Sequence, residues 1–445
     1  MTPKVSRARR RQIISALGRG TVPSAGLDLF AVGMERFEKV LDEELNAVTG
    51  GHAGFKAVRG EYGSGKTFFA RWLAERAKRK KMATSEVQIS ERITPLHRPE
   101  TVYRALVGAL STATSPPSAL RDIVDTWLLA LEDDTGIAKS DRRAMATAVD
   151  DLIESRLAET SKNAPAFATA LRFYRRARLE GDHATADGLL AWVGGEPHVA
   201  ASVRRYAGLK GDLDSSLALN FLQGLLVVLR DCGYPGLLLV LDEVETLQRM
   251  RGDLRERSLN ALRQLIDEID KGRFPGLYLV ITGTPAFYDG QQGVQRLTPL
   301  AQRLHVDFQT DARFDTTRAV QLRLTGFDRD KLVELGCAVR DLYAQGDPAE
   351  QRIRNLVDDA YIKDLATSVA GSLGVGAAPR IFLRKLVADV LYRVSDHEGF
   401  DPRRDYGQAR VTEAELDNDD ERNAFRRGRT AVSAVSADEV ELDLP

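Results

Sequence analysis

One segment of the chain combines glycines, a lysine and a threonine at a spacing that is typical of phosphate-binding loops. It reads Gly60-Glu61-Tyr62-Gly63-Ser64-Gly65-Lys66-Thr67 and is followed by Phe68. Glycines let the backbone curl so that consecutive N–H groups point at phosphate oxygens, and the helix predicted to begin there adds its N-terminal dipole. In such a loop Lys66 reaches the β- and γ-phosphates, and Thr67 offers its hydroxyl oxygen to Mg²⁺. Residues 60–68 therefore predict a loop that binds ATP.

A pair of acids follows a continuous apolar run. Residues 237–241 are Leu-Leu-Leu-Val-Leu, which is typical of a strand buried on both faces of a parallel sheet, and Asp242 and Glu243 come next. We expect Asp242 to hold Mg²⁺ through water and Glu243 to polarise the attacking water. Glu245, two residues further on, is expected to be a surface acid.

A second apolar run, residues 277–281, ends in Thr282-Gly283-Thr284-Pro285. If this strand lies between the strand of the phosphate loop and the strand of the acid pair, a hydroxyl at its end can orient the lytic water. Thr282 is the first choice for that role and Thr284 is the second. The alternative is that the hydroxyl only caps a turn before Pro285.

Alternating strands and helices are predicted to position these residues. Strands are predicted at 55–59, 87–89, 237–241 and 277–281, and residues 304–308 alternate like an edge strand. Residues 98–230 show helical periodicity with almost no strand signal, and residues 316–394 are predicted to be entirely helical. The fold class is therefore α/β: a phosphate-loop core with a parallel sheet, a large helical insertion and a C-terminal helical lid.

Six segments follow from this pattern. They are a basic helix and loop (1–27), the first part of the core (28–110), the helical insertion (111–213), the second part of the core (214–312), the lid (313–399) and an acidic tail (400–445). From residue 411 onward the tail has ten Asp and Glu residues against four Arg residues. Because it has few large apolar residues, we expect it to be disordered.

The overall composition is that of a soluble globular protein. Hydrophobic residues make up 43% and charged residues 29%, with a net charge of −1. The apolar runs are too short to span a bilayer, and the two cysteines are far apart, so a cytoplasmic protein is expected. Basic clusters occur at 7–11, 78–81 and 172–178. Each is a candidate phosphate-contacting surface, with ordinary helix-surface charge as the alternative.

The order of these parts over about residues 28–395 resembles the AAA+ family, in the branch that contains the origin-recognition ATPases. The resemblance places Thr282 at the family's first sensor. It places Arg303 at the arginine finger that enters a neighbouring subunit, with Arg296 as the competing candidate and an arginine that only forms a salt bridge as the alternative. Residues 376–380, Gly-Ala-Ala-Pro-Arg, look like the start of the second sensor, so Arg380 would contact the γ-phosphate.

Four further stretches are more specific. Residues 20–23, 29–33, 59–69 and 90–96 resemble the BrxD family of ATP-binding proteins from bacterial BREX phage-defence systems. This resemblance implies an ATPase that works beside a methyltransferase, a phosphatase-like protein and a helicase. It also implies that residues 30–33 lie near the adenine.

Together these patterns predict a Mg²⁺-dependent AAA+ ATPase that acts on or with DNA-bound partners. A homo-oligomer is expected, and DNA is a candidate ligand. A nucleotide-dependent scaffold or switch with negligible turnover is the main rival. A small-molecule kinase is a weaker one, because no second substrate pocket can be inferred from the sequence.

Overall fold

The structure, a computed structural model, describes residues 6–138, 140–373, 379–406 and Arg422. It is mixed α/β, 61% helical, with one five-stranded sheet. The chain forms two compact units. The first unit comprises Met1–Glu38, Gly60–Glu75 and Arg323–Pro445, and the second comprises Lys39–Arg59 and Arg76–Leu322.

The described residues form five strands and twenty α-helices, each numbered in chain order. The strands are β1 (Gly54–Arg59), β2 (Ala83–Gln88), β3 (Leu237–Asp242), β4 (Leu277–Gly283) and β5 (Gln321–Arg323). The helices are α1 (Arg7–Gly18), α2 (Glu35–Thr49), α3 (Lys66–Arg79), α4 (Pro99–Ala109), α5 (Leu120–Asp134), α6 (Arg142–Arg156), α7 (Ala158–Asn163), α8 (Pro165–Glu180), α9 (His183–Val193), α10 (Ala201–Tyr206), α11 (Ala218–Asp231), α12 (Gly252–Asp270), α13 (Pro285–Asp289), α14 (Thr298–Leu304), α15 (Arg329–Ala344), α16 (Glu350–Leu356), α17 (Asp359–Leu373), α18 (Pro379–Arg384), α19 (Tyr392–Asp396) and α20 (Pro402–Asp405). Short 3₁₀ helices lie at Leu27–Phe30, Val244–Arg249, Val294–Arg296 and Ala312–Phe314, and a π-helical segment lies at Lys385–Leu391.

The sheet of the second unit has the strand order β2-β3-β4-β1-β5. The pairs β2–β3, β3–β4 and β1–β4 are parallel. Every residue of β3 and β4 is buried, as the continuous apolar runs predicted. Strand β4 lies between β1 and β3, so the arrangement required for a water-orienting hydroxyl at the end of residues 277–281 is present.

Two charged residues on β1 interrupt its apolar pattern, and both are buried with partners. Lys56 Nζ lies 2.7 Å from Glu44 Oε1. Arg59, the last residue of the strand, forms an ion pair with Asp289 at the end of α13. Because an unpaired buried charge is strongly destabilising, these contacts explain how a strand with two basic residues lies inside the sheet.

Two predictions about the sheet edge were wrong. Residues 304–308 form no strand: α14 ends at Leu304, and no regular structure follows it there. The fifth strand is instead β5, within the segment 316–394 that was predicted to be entirely helical. It lies beside β1, where Ala57 N donates a hydrogen bond of 2.8 Å to Val320 O. A strand of three residues is too short to produce a period-two signal in the sequence.

The helical periodicity predicted for residues 98–230 is confirmed by the eight helices α4–α11, which lie between β2 and β3; α4 and α11 lie outside the predicted insertion 111–213. Large aromatic residues fill their interior, and Phe221 of α11 is central among them. Its ring centroid lies 5.1 Å from that of Phe167 and 5.5 Å from that of Trp192. These residues belong to the same buried cluster as β3 and β4, so the insertion and the sheet share one core. The six segment boundaries predicted from the sequence stay predictions.

The first unit contains α1, the segment 60–75 and the helices that follow β5. Helix α1 buries an apolar face against α15, α18 and the π-helical segment. The described residues after β5 are mainly helical, and the lid as a segment, 313–399, stays a prediction. Most of the predicted acidic tail, 400–445, lies outside the described residues.

Candidate functional site

The phosphate loop forms the start of α3 in the first unit. Gly63 and Gly65 have φ angles of +76° and +93°, a left-handed conformation that is costly for residues with a Cβ. Lys66 begins the helix and is buried, and its Nζ donates hydrogen bonds to Gly60 O at 2.9 Å and to Glu61 O at 3.3 Å. The ammonium group is therefore held inside the loop that carries the predicted phosphate-binding N–H groups.

The surroundings of the loop suit an anion. The first turn of α3, which includes Thr67, has no acidic residue, so nothing there opposes the positive end of the helix dipole. Ser64 is buried, and its Oγ has no hydrogen-bond partner among the described residues. A phosphate oxygen is an acceptor that this hydroxyl can use.

Helix α3 also organises the segment predicted to lie near the adenine. Both oxygens of the Glu75 carboxylate accept backbone hydrogen bonds, from Gly26 N at 3.0 Å and from Leu27 N at 2.8 Å. This anchors the 3₁₀ helix Leu27–Phe30 on α3. The Phe30 ring centroid then lies 5.6 Å from that of Phe68 in the first turn of α3. Contact of residues 30–33 with adenine stays a prediction.

The acid pair lies at the carboxyl end of β3, in the second unit. Asp242 is buried, and its Oδ1 accepts hydrogen bonds from the Thr282 hydroxyl and from Glu243 N, the latter at 3.0 Å. Glu243 N also lies 3.3 Å from Thr282 Oγ1. Thr282 is fully buried on β4, and its register partner on β1 is Val58. Val58 comes two residues before the first residue of the phosphate loop. Asp242, Glu243 and Thr282 are thus brought together, while Thr284 makes no contact of this kind.

Glu243 has an unusual backbone conformation, with φ of +59° and ψ of +41°. For a residue with a side chain this conformation costs about 1–2 kcal/mol. At Glu243 the chain turns away from the direction of β3. The side chain of Glu243 is partly exposed, whereas that of Asp242 is buried. Gln88 Nε2 donates a hydrogen bond of 2.8 Å to Glu243 Oε2.

Gln88 was missed in the sequence, although a signal was present. It is the last residue of β2, the strand beside β3, and its register partner on β3 is Asp242. A polar residue at the carboxyl end of a strand that borders the acid pair is a candidate for contact with the acids. The order of the strands cannot be read from the sequence, so this neighbour could not be identified.

Glu245 was predicted to be a surface acid, and that prediction is wrong. Only 6% of the residue is exposed, because the chain turns back through the 3₁₀ helix Val244–Arg249 after Glu243. Burial raises the pKa of the nearby Tyr288 hydroxyl well above its usual value. The Glu245 charge adds to this increase, and Arg59 opposes it.

The two candidate finger arginines differ in their contacts. Arg303, on α14, forms ion pairs with Asp270 and with Asp267, whose Oδ1 lies 2.6 Å from Arg303 Nη2. Arg296 is exposed and forms no ion pair within the part of the chain that the structure describes. Neither assignment is tested by this geometry, but a finger role for Arg303 requires two ion pairs to open.

Arg380, predicted to act as the second sensor, lies in the first turn of α18 in the first unit. Its side chain runs beside Gly20: a Cβ placed on that glycine would lie 3.2 Å from Arg380 Cγ. Residues 376–378, the first part of the predicted motif, lie outside the described residues. Contact between Arg380 and a γ-phosphate stays a prediction.

One comparison with known proteins identifies a family for the chain. A family model described as "BREX system ATP-binding protein BrxC/D" matches residues 5–410. No curated protein matches the chain. Within the described residues, no helix has the length and hydropathy needed to cross a membrane. The family match spans nearly all of the 445 residues and does not separate BrxC from BrxD. The chain therefore belongs to the BrxC/D family of BREX system ATP-binding proteins.

Proposed function

We propose that the protein binds ATP with Mg²⁺ and hydrolyses it, as an ATPase of the AAA+ type. The observation that carries this proposal is the hydrogen-bonded cluster of Asp242, Glu243 and Thr282 at the carboxyl ends of two adjacent parallel strands. The second of these strands, β4, is also the neighbour of β1, which leads directly into the phosphate loop. Parallel strands place their carboxyl ends on one edge of a sheet, where α/β proteins bind ligands.

The binding roles follow from the donor groups. Lys66 and the N–H groups of residues 60–68 hold the phosphates. Thr67 and Asp242 offer the oxygen ligands that Mg²⁺ prefers, and the hydrogen bonds from Thr282 and Glu243 N fix the orientation of the Asp242 carboxylate. When bound, Mg²⁺ neutralises charge on the β- and γ-phosphates.

Glu243 is the base for hydrolysis in this proposal. Its carboxylate takes a proton from water as the water oxygen bonds to the γ-phosphorus. The bond from that phosphorus to the bridging oxygen breaks, which gives ADP and phosphate. Arg380 would stabilise the γ-phosphate charge, and Arg303 or Arg296 would do so from a neighbouring copy. The ion pairs of Arg303 favour Arg296 for that role.

The BREX family supplies the biological setting. We place the protein in the cytoplasm as a homo-oligomer that works beside the methyltransferase, phosphatase-like protein and helicase of a BREX system, on or near DNA. The stretches 20–23, 29–33, 59–69 and 90–96 support the BrxD branch rather than BrxC.

A nucleotide-dependent switch with negligible turnover is the second candidate function. The hydrogen bond from Gln88 to the Glu243 carboxylate favours it. A carboxylate that accepts this bond is a weaker base toward water, so this arrangement would suit a resting state.

Phosphate release by Glu243→Gln and by a matched control separates the two functions. Glu256→Gln, on the exposed face of α12, makes the same chemical change away from the acid pair. We expect Glu243→Gln to bind ATP like the wild type and to release no phosphate, and Glu256→Gln to behave normally. Wild-type turnover in Glu243→Gln would assign the base elsewhere. Absence of turnover in the wild type, with and without DNA and at several protein concentrations, would support the switch.

A further inference from the structure

Helix α1 carries a stripe of arginines on its solvent face. Arg7, Arg11, Ser15 and Arg19 follow each other at intervals of four residues, so each side chain is next to the following one, and the row turns by about 40° per step around the solvent side of the helix. The opposite side is buried in the first unit and consists of Ile13, Ile14, Ala16 and Leu17. The helix is therefore anchored by its apolar face, and the arginines are held in a row.

The charge of this arginine stripe is not neutralised locally. Arg7 and Arg11 are exposed and form no ion pair with any described residue. Arg19 Nη1 donates a hydrogen bond of 2.6 Å to the Ser15 hydroxyl, which is neutral. Arg384, exposed on α18 alongside Gly20, adds a further positive charge close to Arg19.

A groove of about 550 Å³ runs between α1 and residues 21–25. Three arginines line it, Arg9, Arg11 and Arg19, together with hydroxyl groups of serine and threonine. Arg9 is paired with Glu75 at 3.7 Å, whereas Arg11 and Arg19 have no acidic partner among the described residues. None of its lining residues is acidic. Guanidinium and hydroxyl groups are the donors that proteins use most often for phosphate oxygens.

The basic cluster of α8 differs from the arginine stripe of α1. Each arginine of that cluster has an acidic partner, and Tyr174 between them is fully buried. The pairs are Arg172–Glu154 at 2.9 Å, Arg175–Glu132 at 3.0 Å, Arg176–Glu180 at 2.9 Å and Arg178–Asp125 at 3.6 Å. The α8 arginines therefore stabilise the insertion, and they are already neutralised by their own chain.

We propose that the arginine stripe of α1 binds the phosphate backbone of duplex DNA. From Arg7 to Arg19 the helix advances by about 18 Å, since each residue adds about 1.5 Å. That length matches about five base-pair steps of about 3.4 Å. A membrane surface fits less well, because a helix that lies in a bilayer exposes its apolar face, whereas the apolar face of α1 is buried.

The inference rests on the part of the proposed function that places the protein on DNA, and it does not depend on ATP turnover. The test measures binding of a fluorescent 20-base-pair duplex as a function of salt concentration. The triple variant Arg7→Ala, Arg11→Ala, Arg19→Ala removes the stripe. The control is Arg176→Ala, Arg251→Ala, Arg313→Ala, which removes the same charge from three exposed arginines that have acidic partners.

The salt dependence reports the number of phosphate contacts. Each lost contact reduces the slope of log affinity against log salt by about 0.9, so three contacts account for about 2.7. Between 50 and 200 mM salt the wild type should then lose about 40-fold more affinity than the triple variant. The control should match the wild type, and all proteins should bind ATP equally. Replacing the three arginines by lysine keeps the charge and should preserve the slope.

Three results would overturn the inference. An unchanged slope in the triple variant would place the DNA site elsewhere and leave the proposed function intact. Failure of the wild type to bind duplex DNA would remove the inference and the DNA part of the proposed function together. Binding to phosphatidylserine vesicles without binding to duplex DNA would assign the stripe to a lipid surface.

Discussion

Replacement of Thr282 by valine is the sharpest test of the candidate site. Thr282 is fully buried, and its hydroxyl donates to Asp242 Oδ1 and lies 3.3 Å from Glu243 N. Valine keeps the size and the branched shape of the side chain but has no hydroxyl. The substitution therefore removes one donor from a buried carboxylate and leaves the packing of β4 nearly unchanged.

The size of the effect follows from the kind of bond that is lost. A hydrogen bond to a charged group contributes about 1.5–3 kcal/mol. If the bond holds Asp242 and Glu243 in place during hydrolysis, its full loss appears in the barrier. A factor of ten in rate corresponds to about 1.4 kcal/mol, so turnover should fall by between about 10-fold and about 150-fold.

Phosphate release under saturating ATP measures this change, and Thr284→Val is the matched control. Thr284 is also buried, two residues further on, and its hydroxyl makes no hydrogen bond within the described part of the chain. We expect Thr284→Val to retain nearly full turnover. In an Asp242→Asn background, Thr282→Val should add little, because both changes disrupt the same contact. Equal turnover in the two valine variants would refute the reasoning.

Four further predictions concern the loop, the base and assembly. Lys66→Ala should abolish ATP binding, measured with a fluorescent ATP analogue, because the only ammonium in the loop is lost. Gln88→Leu should raise kcat by up to about tenfold with KM unchanged, because Glu243 loses the 2.8 Å hydrogen bond that weakens it as a base; a fall in kcat would instead make Gln88 a residue that positions Glu243. In urea unfolding, Glu243→Gly should be more stable than Glu243→Ala by about 1 kcal/mol, because only alanine keeps the left-handed strain. Arg296→Ala should reduce turnover more than Arg303→Ala, and mixing Arg296→Ala with Glu243→Gln should restore part of the activity; no rescue would exclude a role in trans.

Strong local patterns in the sequence predicted the central parts of the fold. The phosphate loop could be identified because its glycines, Lys66 and Thr67 must follow each other at fixed spacing. Strands β3 and β4 could be identified because strands buried on both faces require continuous apolar runs. The acids at the end of β3 then followed from the boundary between the apolar run and polar residues.

Features that depend on contacts between distant segments could not be predicted. The partner of Lys56 is Glu44, which lies on α2, and nothing in either local sequence links them. The contact of Gln88 with Glu243 joins residues 155 positions apart. The burial of Glu245 results from the turn at Glu243, which only the backbone conformation reveals. β5 was missed because it has only three residues.

The left-handed conformation of Glu243 is best explained by chemistry rather than by folding. Glycine or asparagine would adopt a φ of +59° at lower cost, so a glutamate at this position carries a strain of about 1–2 kcal/mol. Strain of this kind persists where the surrounding structure fixes it and where the side chain has a function. Here the turn separates two neighbouring acids: Asp242 stays buried under the Thr282 hydroxyl, while the Glu243 carboxylate is partly exposed and bound by Gln88. In the proposed mechanism, the strained turn therefore leaves Asp242 buried as the metal-binding carboxylate and Glu243 accessible as the base.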